Sequence, residues 1–244
     1  MIIRHDADAS QYLADETLYP AVLSLKWPGD MCAATLVDPC WLVTCAHAMH
    51  GLEAQLENVE VLGYARQHIE LERIFRNPAF GSAGGDIALI KLSTPVTNVP
   101  PVHLYEGPDD ALKDKIATFV GHGQAGTGDT VERRVLDFQL RAAKNKVVSA
   151  DINRRELVFN FEHPDDAACC VLEGVSGPGD SGGPALVEDE HGAYAIVGIS
   201  SYQHPIPPTG LSTYGAVEHY TSISAWAEWM HGVMAADASG TAAP

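Results

Sequence analysis

No run of about 18 apolar residues occurs in this chain of 244 residues, so no segment reads as a membrane-spanning helix. Positive charge is scarce. The 15 Lys and Arg stand against 32 Asp and Glu, a formal charge of −17 that argues against nucleic acid and anionic membranes as partners. Such a surface either serves solubility or draws cationic substrates. There is no Walker loop, dinucleotide fingerprint or internal repeat, and the Cys and His spacings match no common zinc pattern, so no cofactor and no metal are expected. Cysteine is sparse and odd in number: the five, at 32, 40, 45, 169 and 170, exclude complete pairing within one chain. Buried free thiols are the expectation. The alternatives are Cys32 bridged to Cys40 or Cys45, and a strained ring between the vicinal Cys169 and Cys170.

Apolar residues make up 46% of the chain, enough for one large core or two small ones. Strand-like runs punctuated by 22 Gly and 15 Pro dominate, and helical periodicity is lacking until the end, which indicates an all-β fold. There, Ile223, Trp226, Met230 and Val233 recur at three- to four-residue spacing and predict a helix with a core-facing stripe. The small, polar stretch 235–244 predicts a flexible tail.

The segment Pro178-Gly179-Asp180-Ser181-Gly182-Gly183-Pro184 carries the most chemistry. Its glycines permit turn conformations that aim a serine hydroxyl and the N–H groups of Gly179 and Ser181 at one point, a nucleophile beside an oxyanion hole. Taken alone it also describes an ordinary surface turn. Upstream, Trp41-Leu42-Val43-Thr44-Cys45-Ala46-His47 is an apolar strand ending in a histidine that can face a cleft. Asp86 opens the alternating strand Ile87-Ala88-Leu89-Ile90-Lys91-Leu92, and a carboxylate in that place needs a partner. A serine hydroxyl is a weak nucleophile without a base, and the base needs an orienting acid, so these three residues belong together.

His, Asp and Ser in this order resemble the chymotrypsin/trypsin family of serine peptidases, and most closely its bacterial, disulfide-poor members. The likeness covers nearly the whole chain. Ile2-Ile3 with Tyr19 to Leu25 resembles the mature amino terminus and first strand, and Val120-Gly121-His122-Gly123 a second-barrel Gly-Trp-Gly segment with His122 replacing tryptophan. Gly198-Ile199-Ser200-Ser201-Tyr202 is similar to the strand that pairs with substrate, and Tyr220 to Trp229 to the closing strand and terminal helix. The resemblance implies one peptidase domain over 1–234. It would comprise two six-stranded antiparallel β-barrels, at about 1–110 and about 115–220, a crossing from Pro100 to Lys115, and a helix at about 221–234 packed on the second barrel.

It further implies a Ser-His-Asp triad of Ser181, His47 and Asp86, an oxyanion hole at Gly179 and Ser181, and hydrolysis of peptide bonds through an acyl-enzyme. In the family an α-ammonium group freed by cleavage pairs with the aspartate before the serine, which makes Asp180 and Ile2 the candidates if Met1 is absent. If Met1 stays, the displaced amine, Arg4 or His5 are the alternatives, or a zymogen-like site. Substrate-binding candidates are Val175, where trypsin carries its specificity aspartate, and Ser201, Tyr202, Gln203 and Glu218. Glu218 has three readings: it attracts a basic side chain, it narrows the pocket with Gln203 to favour small apolar residues, or it is a solvated charge on a strand edge. The family's histidine-loop disulfide fails, since Ala48 stands where the partner of Cys32 is expected, and Gly177 replaces another usual cysteine.

The leading function is therefore a serine endopeptidase acting on polypeptides. An inactive or zymogen-like homologue serving as a binding module is the alternative. An α/β-hydrolase esterase is the third, because Gly179-Asp180-Ser181-Gly182-Gly183 satisfies Gly-x-Ser-x-Gly, although the order of acid and histidine and the strand-like sequence after Ser181 oppose it. His5, His50, His68, His103, His163, His191, His204 and His231 read as surface or structural. A monomer is expected, secreted or periplasmic with its signal peptide removed; the unpairable cysteines also suit a reducing, cytoplasmic compartment.

Overall fold

Two curved β-sheets meet face to face in a computed structural model that describes residues 1–64, 69–81, 84–189, 191–204 and 211–240. After a short strand β1 (Ile2–Ile3), the first sheet comprises β2 (Val22–Trp27), β3 (Asp30–Asp38), β4 (Trp41–Thr44), β5 (Glu60–Leu62), β6 (Leu71–Arg76) and β7 (Ala88–Leu92). Its order is β5-β2-β3-β4-β7-β6, antiparallel throughout. Among the described residues β5 and β6 are not paired with each other, so this sheet is a half-barrel.

The second sheet contains β8 (His103–Leu104), β9 (Ile116–Gly121), β11 (Arg141–Asp151), β12 (Glu156–Asn160), β14 (Pro184–Glu188), β15 (Tyr194–His204) and β16 (Val217–Ser222), while β10 (Gly126–Thr127) and β13 (Gly174–Val175) stand outside it. The pairing β14–β15 closes β9, β11, β12, β16, β15 and β14 into a six-stranded barrel, and β8 runs parallel to β15 on its outside. Among the described residues there is one α-helix, α1 (Ala227–Ser239), which starts and ends later than the sequence predicts. The stretch read as tail from residue 235 is therefore helical as far as Ser239, and Gly240 closes the helix in the left-handed conformation.

Strand alternation sorts the side chains into separate cores. On β4 and β7, Leu42, Ala88, Ile90 and Leu92 point into the first barrel with Leu23, Leu25 and Leu36. Val43 and Leu89, on the opposite face, join Leu186, Ile196 and Ile199 between the barrels. Phe119, Val147, Phe159 and Tyr220 fill the second barrel. Each fully buried large side chain contributes about 1.5–3 kcal/mol relative to exposure. The helix packs across the seam and not on the second barrel alone: Trp226, Met230 and Val233 lie in the inter-barrel core with Trp41 and Val43, and Asp237 pairs with Lys91 of β7 at 3.0 Å.

The amino terminus also departs from the expected division, because β1 joins the second half of the molecule. Ile2 and Ile3 run parallel to β10 and antiparallel to β13. Ser181 lies in a turn that leads into strand β14 and not into a helix, and the two sheets are antiparallel apart from the short β8–β15 pairing, which removes the α/β-hydrolase reading.

Candidate active site

β4 ends at Thr44 and delivers His47 at the first residue of a 3-10 turn, His47–Met49. Asp86, just ahead of β7, is 7% exposed and faces it. Its Oδ1 accepts from the His47 backbone N–H at 2.8 Å, and Oδ2 lies 2.7 Å from His47 Nδ1. A carboxylate only accepts, so Nδ1 carries the ring proton and Nε2 keeps its lone pair. Oδ2 also accepts from the Ser201 hydroxyl at 2.5 Å. Partial burial lowers the pKa of His47, but its hydrogen bond to Asp86 and the contact with Cys45 outweigh this and raise the imidazole above its ordinary value.

Ser181 comes from the other barrel. Its carbonyl accepts from Ala33 N–H of β3 at 2.7 Å, tying the serine loop to the first barrel. Gly182, at φ +79, is needed for that approach: a Cβ there would overlap Thr44 Oγ1 and the Ala33 carbonyl. Gly179 sits at φ +90, and neither its N–H nor that of Ser181 donates to any group among the described residues. The Ser181 hydroxyl likewise makes no hydrogen bond among them, and His47 Nε2 meets Cys45 Sγ at 3.7 Å. Ser181 lines a cavity of about 380 Å³ and His47 with Asp86 lines one of about 670 Å³; the two share Ser201 and Tyr202.

Asp180 anchors the turn from below. Oδ1 accepts from Gly123 N–H at 2.7 Å, and Oδ2 from Gly177 N–H at 3.0 Å and from the α-ammonium of Met1 at 2.5 Å. The amine that meets Asp180 is thus that of Met1 and not of Ile2, which is fully buried between β10 and β13. Arg4 pairs with Asp6, and His5 with the Tyr214 hydroxyl, so neither serves Asp180. His122 bonds Ser24 Oγ at 2.9 Å through Nδ1, a buried link between the barrels.

Of the substrate-binding candidates, Ser201, Tyr202, Gln203 and Glu218 line the two cavities, the last two in the smaller one with Ser181. Val175 does not line either: alternation on β13 turns it toward Ile2 and Phe161, and its neighbour Ser176 lines the wall instead. Glu218 is 1% exposed, which removes its reading as a solvated edge charge. Pro205 to Thr209, in the proline-rich insertion, and His68 lie outside the described residues.

Residues that sequence reasoning missed include Ser176 and Ser212, whose hydroxyls face Gln203, Tyr220 and Ser200 around the pocket. His219 is another: its ring stacks on Tyr202 at 4.5 Å, and both donate to Glu156 Oε2. Val217-Glu218-His219-Tyr220 lacks an apolar alternation, so no local pattern marked it. All five cysteines are free thiols, and among the described residues no group of three or more His, Cys, Asp or Glu is arranged to hold a metal. A family model described as Trypsin matches residues 10–230.

Proposed function

The chain belongs to the trypsin family of serine peptidases, and on that premise we propose that it is an active endopeptidase in which Ser181, His47 and Asp86 form the catalytic triad. The observation that carries this reading is the hydrogen-bonded His47–Asp86 pair opening onto the cavity system that also holds Ser181. Ser181 Oγ attacks a peptide carbonyl while His47 Nε2 takes its proton, and Asp86 holds the tautomer and stabilises the imidazolium. The N–H groups of Gly179 and Ser181, which donate to no other group among the described residues, receive the oxyanion. His47 then protonates the leaving amine, and water releases the acyl-enzyme by the same route in reverse.

One observation favours a second reading, an inactive homologue that binds polypeptides: His47 Nε2 contacts the Cys45 thiol, and no hydrogen bond joins it to Ser181. Such bonds are often long before substrate arrives and tighten in the complex. Intact-mass analysis after exposure to a fluorophosphonate separates the two. A single adduct absent from Ser181→Ala supports the endopeptidase; a folded protein that takes up none supports the inactive homologue.

A further inference from the structure

The loop that carries Gly179, Asp180 and Ser181 is gripped from one rung of the first barrel. Ser24 on β2 stands directly opposite Ala33 on β3. The Ala33 N–H donates to the Ser181 carbonyl at 2.7 Å, and the Ser24 hydroxyl meets His122 Nδ1 at 2.9 Å. Ser24 and His122 are 0% and 2% exposed, so this second contact is shielded from water and correspondingly strong. The other ring nitrogen, Nε2, faces Glu16 Oε1 at 4.0 Å. On either side of His122 the backbone forms the seat of the serine loop. A Cβ on Gly121 or Gly123 would overlap the Asp180 carboxylate, so bare backbone presses against that group. Gly123 N–H donates to Asp180 Oδ1 at 2.7 Å, and Gln124 N–H to the Pro178 carbonyl at 2.8 Å. The Gln124 carbonyl in turn accepts from the Met1 ammonium at 2.6 Å.

We infer that His122 is a positioning residue for the oxyanion hole. Through Ser24 it locks the segment 121–124 to the first barrel, and through Gly123 and Asp180 that segment sets where the Gly179 N–H points. Ser181 is fixed to the same rung directly, by Ala33. The separation of the two oxyanion donors therefore depends on both grips, and donors act well only within about 2.7–3.1 Å of the developing charge. The inference rests on the peptidase reading of Ser181. His122 moves no proton in the reaction. It acts on the step in which charge builds on the carbonyl oxygen, so its loss lowers kcat and leaves KM as it was.

The test joins peptide-hydrolysis kinetics to amide hydrogen exchange read by mass spectrometry on the whole chain. Ser24→Ala removes one oxygen and should fold; His122→Ala removes the ring. Expected in both are a kcat lower by about tenfold at an unchanged KM, and exchange about tenfold faster in peptides covering 121–124 and 177–183 but not in those of β12 and α1. His122→Asn, whose amide takes the place of Nδ1, should recover most of the loss, and the double variant Ser24→Ala/His122→Ala should be no slower than either single one. An unchanged kcat in Ser24→Ala, an asparagine variant as slow as His122→Ala, or exchange that quickens in every element alike overturns the assignment, while wild-type Ser181 that reacts with a fluorophosphonate keeps the peptidase reading standing. Wild-type Ser181 that never reacts ends that reading, and exchange then decides alone: quickening confined to the two segments supports His122 as the clamp of the turn, and its absence overturns the clamp.

Discussion

The Ser201 hydroxyl donates to Asp86 Oδ2 at 2.5 Å, so the acid that orients His47 on the first barrel is held in place by a strand of the second. The pairing of the barrels and the alignment of the base are thus one interaction. Ser201→Ala is expected to cost about 1.5–3 kcal/mol, the range for a hydrogen bond to a charged group, and to lower kcat/KM about tenfold or more. Asp86→Asn removes the tautomer control itself and should lower kcat by about 10⁴-fold. Steady-state kinetics with thermal denaturation check both, and an unchanged kcat/KM in Ser201→Ala would show that Asp86 needs no second support.

The pH profile should carry the mark of the same pair. In the proposed mechanism His47 acts as a base only when neutral, and Asp86 raises its pKa, so activity is expected to climb with pH along a limb centred above about 6.5, the ordinary imidazole value. In Asp86→Asn the residual activity should show that limb moved to lower pH. Stability runs the other way: the raised folded value stabilises the protein fully below about pH 6.5, and the contribution disappears as pH rises through the folded pKa. A kcat/KM profile whose acid limb is identical in both proteins would separate His47 from the titration.

Asp180→Asn should leave the Met1 ammonium buried without its counter-charge, at a cost of about 3–5 kcal/mol. The amide also loses the charged acceptor for Gly123 and Gly177 N–H, which hold the turn ahead of Ser181. We expect a lower Tm together with slower fluorophosphonate labelling of Ser181. Labelling at the wild-type rate in a destabilised protein would mean that the turn holds its shape without the ion pair.

Phe159 sits edge-on to Phe119 at 4.9 Å and to Tyr220 at 5.1 Å, and Phe119 stacks on Tyr220 at 4.6 Å. The second barrel is centred on these rings. Phe159→Ala should destabilise by about 3–5 kcal/mol. Ile152→Ala, at a position 79% exposed, should stay within about 0.5 kcal/mol. Urea midpoints for the two variants measure the contrast; equal midpoints would place the cooperative core elsewhere.

What the sequence made legible was local. An apolar strand running into His47, an acid opening an alternating strand at Asp86, and a glycine-rich turn around Ser181 are each written in a few consecutive residues. What stayed hidden depends on depth and register between distant segments. Whether Met1 or Ile2 reaches Asp180 is decided by how far β1 slides between β10 and β13. Val175 misled because one step along a strand reverses the face presented, and a two-residue strand has no pattern from which to read it. For Glu218 a solvated place on a strand edge was one of three readings, and His219 drew none, because polar side chains crowd β16; yet that strand lies inside the sheet between β12 and β15. A polar strand can stand there because Glu218 and His219 find partners in Ser176, Gln203 and Glu156.

The placement of β1 has a consequence for the order in which the molecule comes into being. Ile2 and Ile3 pair with Gly126–Thr127 and Gly174–Val175, strands that follow them by more than a hundred residues of sequence. The half-barrel that carries His47 and Asp86 can collapse early, since its pairings are completed by Leu92. β1 stays unpaired through that collapse and docks only when β10 and β13 exist. Asp180 therefore meets its ammonium partner only after the second half of the molecule has assembled around β1, late in folding and long after His47 and Asp86 have found each other.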